Sequence, residues 1–436
     1  MKRYLKFWLI LAVSLLALTA GINLIVDPYG LFRLVDSAGF NRIKPMAGKH
    51  GRMGKAYQVL RIRPQGLILG NSRAEVGFDP THQAWPPDAR PVYDLALPGT
   101  DTYDSVMYLR HVLENQKANP PRLVVWGVDF MDFLVDAKAS RPHRKAGRQD
   151  SRLLANEDGT RNPGRAFQVM KDYAASTFTL RALSDSVATL VAQRQAYSED
   201  LSSLGSNPMR DYIKITADEG AWAVFRQRDL ANTQSFLRRP RDIFDENGAS
   251  SPPLDDLRQV IRLCREHGIP LHLVIYPYHA HLLEVFKLTG HWPAFEAWKR
   301  AVLHVAHEEP VAHGFPPVPL WDFSEFDAYT EELVPPRGDR KATMKWYWEA
   351  GHFKRELGDR VLDRVLGVPG VPEGFGTLLT PANIASQLAS VRKGEREYRS
   401  SHASEVGGLE MLATRLGAQG GWNSSLTEPA SEGHVP

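Results

Sequence analysis

Five short apolar runs, at 66–70, 91–97, 123–129, 271–277 and 318–323, each end in a polar residue or a Gly/Pro turn. Runs this short and this continuously apolar suit strands buried on both faces, as in a parallel sheet. The segments between them carry apolar residues at helical spacing. Val106, Leu109, Val112 and Leu113 recur in 103–115; Leu257, Val260, Ile261 and Cys264 in 254–267; Val302, Val305 and Ala306 in 298–307. Strand and helix in alternation imply right-handed crossovers, and hence an α/β fold with a doubly wound, five-stranded parallel sheet.

The stretch 134–253 interrupts this alternation between the third and fourth runs, with helix-like pieces at 166–173, 179–192 and 221–231. It is expected to be an inserted cap over the edge where such sheets bind ligands. The core domain is assigned to 66–366 and a connecting segment to 27–65. The remainder, 367–436, is a C-terminal extension that opens with a Gly/Pro break at 367–376, carries one helix near 381–397 and is expected to be disordered after 400.

Residues 7–26 are apolar apart from Ser14, Thr19 and Asn23, enough to cross a hydrocarbon core of about 30 Å. Lys2, Arg3 and Lys6 precede them and keep that end in the cytoplasm. A single-pass anchor at 1–26 is preferred to a cleaved signal peptide, because Leu18 stands three before a cut at Ala20 and apolarity continues beyond it. The bulk of the chain is then expected on the periplasmic side of the cytoplasmic membrane. A net charge of only +3 with scattered Lys and Arg argues against nucleic acid as a partner. The single cysteine, Cys264, excludes an internal disulfide and suits a buried small hydrophobe.

Two short motifs carry the chemistry. Gly70-Asn71-Ser72 follows the first strand, placing a serine on the tight turn at the carboxyl edge of the sheet. Glu349-Ala350-Gly351-His352 precedes Phe353, Leu357, Val361, Leu362 and Val365, a stripe that puts His352 at a helix start. Glu349 is spaced to hold the far ring nitrogen of His352 and so fix the tautomer of a general base. Arg73 beside Ser72, and Tyr276 and Tyr278 after the fourth strand, are candidates to line the cleft and bind a sugar. His279, His281 and His291 lack acidic or Cys partners at ligand spacing, so no metal and no cofactor is expected.

In combination, a serine after strand one, five strands in sequence and acid-x-x-His before a final helix resemble the SGNH (GDSL-like) hydrolase superfamily, over about 67–365. The resemblance implies a flavodoxin-like sheet of order 2-1-3-4-5. It implies the nucleophile at Ser72, an oxyanion-hole glycine at Gly99 in Leu97-Pro98-Gly99-Thr100, the base at His352 and its orienter at Glu349. Three positions depart from the family pattern. Asn71 replaces an Asp, and Glu349 replaces the usual terminal Asp. Asp129, in Gly127-Val128-Asp129, stands where a side-chain amide normally donates to the oxyanion; an ionised carboxylate there accepts only.

Asp27-Pro28-Tyr29-Gly30, Gly70-Asn71-Ser72-Arg73, the run from Tyr93 to Gly99 and Asp129-Phe130-Met131-Asp132-Phe133 are similar to single-pass bacterial members related to exopolysaccharide O-acetyltransferases and esterases. The expectation is an extracytoplasmic serine esterase or O-acyltransferase acting on an acylated glycan, with a membrane acyl-transfer partner. A catalytically silent scaffold of a polysaccharide-export assembly is the competing expectation, and Asp129 is the residue that favours it.

Overall fold

The computed structural model describes residues 1–137, 150–248, 251–372 and 374–419. Five strands, β1 (Gly66–Leu69), β2 (Val92–Asp94), β3 (Leu123–Val128), β4 (Leu271–Ile275) and β5 (Leu320–Asp322), pair in parallel in the order 2-1-3-4-5. Gly66 pairs with both Val92 and Leu123, so β1 lies at the centre of the crossover pattern. This is the expected α/β fold. Nearly every strand residue is buried, which is why these runs read as continuous rather than alternating apolar segments.

Beyond the expected five, β6 (Tyr347–Glu349) and β7 (His352–Phe353) form a separate antiparallel pair, and β8 (Thr377–Leu378) adds to the sheet antiparallel to β5.

Helix α1 (Lys2–Val26) is long and apolar enough to be a membrane anchor or a signal sequence; most of it is exposed, and it buries only Ala20, Asn23 and Val26. Next come α2 (Gly51–Ile62), α3 (Ser72–Gly77) and α4 (Thr102–Asn115). The insertion supplies α5 (Arg165–Phe178), α6 (Leu180–Ala192), α7 (Arg210–Glu219) and α8 (Ala221–Arg238). It divides in two: α5 and α6 pack on α1, whereas α8 packs on β6 and on α10 (Ala280–Leu288). Residues 138–149 and 249–250 of the expected cap lie outside the described residues.

Helix α9 (Pro252–Glu266) packs on α4, and α11 (Trp292–Leu303) passes through a π-helical turn into α12 (Glu309–Ala312). Cys264 is buried in α9, and burial pushes its thiol up to about 12. The chain then runs through α13 (Arg355–Val365), α14 (Ile384–Ser401) and α15 (Ala403–Gln419).

The expectation of disorder after 400 differs from the structure, which continues in α15. Val406, Leu409 and Leu412 are buried there, each such side chain contributing about 1.5–3 kcal/mol, and Glu405 reaches His281 of α10 at 3.4 Å. Residues 420–436 lie outside the described part.

Candidate active site

The turn after β1 is held open for a close approach. Gly70 adopts φ +141°, where a side chain is strained, and a Cβ there would meet the Tyr276 hydroxyl and Ala74. Asn71 caps α3 by accepting from the Arg73 N–H at 3.1 Å, which leaves Ser72 as the first helical residue at the carboxyl end of β1.

His352 reaches Ser72 from a hairpin rather than from a helix start. Glu349 and His352 are cross-strand partners on β6 and β7, and α13 begins only at Arg355. Phe353, the next residue, seats the hairpin on α3: a Cβ on Gly77 would overlap the Phe353 ring. Strand β7 and helix α3 are thereby packed together, which brings two residues 280 positions apart within reach.

Ser72 Oγ lies 2.8 Å from His352 Nε2, and His352 Nδ1 is hydrogen-bonded to Glu349 Oε1. An ionised carboxylate only accepts, so Nδ1 carries the proton and Nε2 presents its lone pair to the Ser72 hydroxyl. Glu349 is fully buried, while His352 and Ser72 are partly exposed, so the first two members of the chain are open to solvent and the third is not. Burial acts to raise the Glu349 carboxyl, but His352, Arg228 and the Gly351 N–H at 2.6 Å outweigh it and hold it at about 2.

Arg228, a residue without any sequence signal for this site, stands on α8 with Nε 3.4 Å from Glu349 Oε2. Its orientation is set by Tyr212 of α7, whose hydroxyl accepts from the guanidinium at 2.8 Å. The second half of the insertion thus closes over the acid of the chain.

Asp129 is turned into the protein. One carboxylate oxygen accepts from Arg73 and from Asn71 Nδ2 at 2.7 Å; the other accepts from the Tyr278 hydroxyl at 2.9 Å and the Met131 N–H at 3.3 Å. Asn71 also donates to Asp132 at 2.9 Å. Burial first, and then the Asp129 charge, raise the Asp132 carboxyl well above its ordinary range. Asn71 is the amide that a cluster of two acids requires.

Arg73, Tyr276 and Tyr278 are all buried, so none presents a face to an open cleft. Arg73 pairs with Asp129, Tyr276 donates to Gly127 O at 3.0 Å beneath the turn, and Tyr278 lies under the Arg73 guanidinium, 5.5 Å away. They support the Ser72 turn from below. Gly99, by contrast, is exposed at φ +66°, and the Leu97 N–H donates to Gly70 O at 3.0 Å, tying its loop to the turn that carries Ser72. Among the described residues the Ser72 and Gly99 amide N–H groups have no hydrogen-bond acceptor.

The histidines after β4 are engaged structurally: His279 with Glu332 O, His281 between Asp229 and Glu405, and His291 with Pro240 O. Asp79, His82 and Asp359 also converge, but Arg355 pairs with Asp79 and Asp363 takes the His82 ring at 2.8 Å, so the cluster is an ion-pair network.

No model of a known protein family matches the chain, and no curated protein matches it in sequence.

Proposed function

We propose that the protein is a membrane-anchored, extracytoplasmic serine esterase or O-acyltransferase of the SGNH kind, acting on acyl groups of a cell-surface or secreted polysaccharide. The observation that carries this reading is the unbroken hydrogen-bonded chain from Ser72 through His352 to the buried Glu349. That chain is what a hydroxyl needs to act as a nucleophile at neutral pH.

In the first half-reaction Ser72 Oγ forms a bond to the acyl carbonyl carbon as its proton passes to His352 Nε2. Glu349, ionised, stabilises the resulting imidazolium. The Ser72 and Gly99 N–H groups donate to the oxyanion. Collapse breaks the bond to the sugar oxygen, which takes the proton from His352 and leaves an acyl-Ser72. Water completes hydrolysis, or a second sugar hydroxyl completes transfer, by the same steps reversed.

The competing reading, a silent scaffold, drew its support from Asp129 in the oxyanion position. With Asp129 committed to Arg73, Asn71 and Tyr278, that support weakens. The α1 helix, whose first turns carry Lys2, Arg3 and Lys6, supports an anchor with the enzyme outside the cytoplasm.

Release of acetate from an acetyl ester or an acetylated polysaccharide tests the reading. Wild type releases it and Ser72→Ala and His352→Ala do not; equal release by Ser72→Ala removes Ser72 from the mechanism.

A further inference from the structure

The α5–α6 hairpin is built inside out. The residues α5 buries are Asp172, Ser176 and Thr177, and those of α6 are Ala182, Ser186, Thr189 and Ala192. Facing outward instead are Phe167, Met170, Phe178, Leu180, Val187 and Val191, each between 51% and 76% exposed. A helix pair surrounded by water places its apolar stripe inward. Small and polar residues between helices, with large apolar residues outside, is the arrangement of helices solvated by lipid.

The tip of this hairpin is tied to the apolar N-terminal helix. Asn23 of α1 donates to Thr177 O at 2.9 Å and Thr179 O at 3.3 Å, and accepts from Ser186 Oγ at 2.9 Å. The far end of α6 joins the body of the protein, where Gln193 Nε2 donates to Ile43 O at 2.7 Å, and midway along it Asp185 accepts from the Tyr29 hydroxyl at 2.7 Å. The tip is therefore the end nearest the apolar run of α1, and the two exposed apolar surfaces adjoin at Asn23.

Lys171, Arg181 and Arg194 are exposed, whereas the two carboxylates of the hairpin are engaged, Asp172 by Tyr57 and Arg152 and Asp185 by Tyr29. The free charges are cationic and suit anionic headgroups.

We propose that the α5–α6 hairpin is a second membrane element, its tip seated among lipid acyl chains of the outer leaflet beside α1. This rests on the anchor reading of α1. The consequence reaches the active site: Asp172 holds Tyr57 of α2 at 2.6 Å, and Lys55 of the same helix holds Glu75 of α3, the helix that begins with Ser72, at 2.8 Å. Seating the hairpin thus fixes how the Ser72 turn faces the membrane.

Spin labels on the full chain test it. Cys264 is buried with its thiol pushed up to about 12, so single cysteines placed elsewhere label selectively. Phe178→Cys and Leu180→Cys report the hairpin, Leu9→Cys the anchor and Lys393→Cys the exposed body, each in vesicles of phosphatidylethanolamine and phosphatidylglycerol. The proposal expects labels at 178, 180 and 9 to collide more with dissolved oxygen than with a water-soluble nickel chelate, and the label at 393 to show the reverse. Hairpin labels that behave like 393 while the label at 9 sits in lipid overturn the hairpin and leave the anchor standing. Loss of the label at 9 by cleavage overturns the anchor instead, and the hairpin survives that result only if 178 and 180 still report lipid. Shielding of 178 and 180 from both reagents in native membranes overturns lipid as the occupant in favour of a protein.

Discussion

Arg228, on a helix of the inserted segment, stands 3.4 Å from the fully buried carboxylate of Glu349, the last member of the Ser72–His352–Glu349 chain. The insertion is therefore part of the site's electrostatics as well as its cover. It supplies the positive charge that, together with His352, keeps a buried acid ionised.

The Arg228 side chain is about a third exposed, so its contribution is screened. Arg228→Gln is expected to lower kcat by about fivefold, equivalent to about 1 kcal/mol, with little change in KM. In a Glu349→Gln background the same substitution should cost almost nothing, since both act through one group. Equal losses in both backgrounds would show that Arg228 serves the fold and not Glu349.

The Glu349 carboxyl also sets a pH dependence of stability. Its folded value, about 2, lies below the ordinary 4.5, so its contribution is complete above about 4.5 and is lost as pH falls from there through about 2. Urea unfolding should find Glu349→Gln less stable than wild type above pH ~5, with the gap narrowing toward pH ~3. A gap independent of pH would mean that the carboxylate is not stabilised as the geometry describes.

Much of the architecture is legible in the sequence because parallel strands buried on both faces leave long apolar runs, and the order of the five follows the expected pattern. The remaining features have weaker local signals. Strand β8 is only two residues long. Phe353 lies in step with the apolar stripe of α13 yet belongs to β7, so His352 looks like a helix start while standing on a hairpin. Gly407 and Gly408 lower helix propensity in α15, and only the tertiary contacts of Val406 and Leu409 override them. Tyr276 and Tyr278 sit at a strand end, where sequence does not distinguish packing under a turn from lining a cleft. Arg228 had no signal at all, because its partner is brought to it only by the fold.

Asp129 offers a separate test. Asp129→Asn removes the carboxylate paired directly with the buried Arg73 guanidinium, and breaking such a buried pair typically costs about 3–5 kcal/mol. Thermal unfolding should register a marked loss of stability, and ester turnover per folded molecule should fall or stay level. A gain of about a hundredfold would place the residue at the oxyanion after all, and the silent-scaffold reading would take precedence.

A nucleophilic Ser72 activated by His352 should react covalently with an electrophile that mimics an acyl group. Reaction of the full-length protein with a fluorophosphonate, followed by mass spectrometry of its peptides, tests it most directly. A single adduct on Ser72 is expected in wild type, lost in His352→Ala because the hydroxyl is then barely nucleophilic. An unmodified Ser72 in folded wild type, or undiminished modification in His352→Ala, would contradict it.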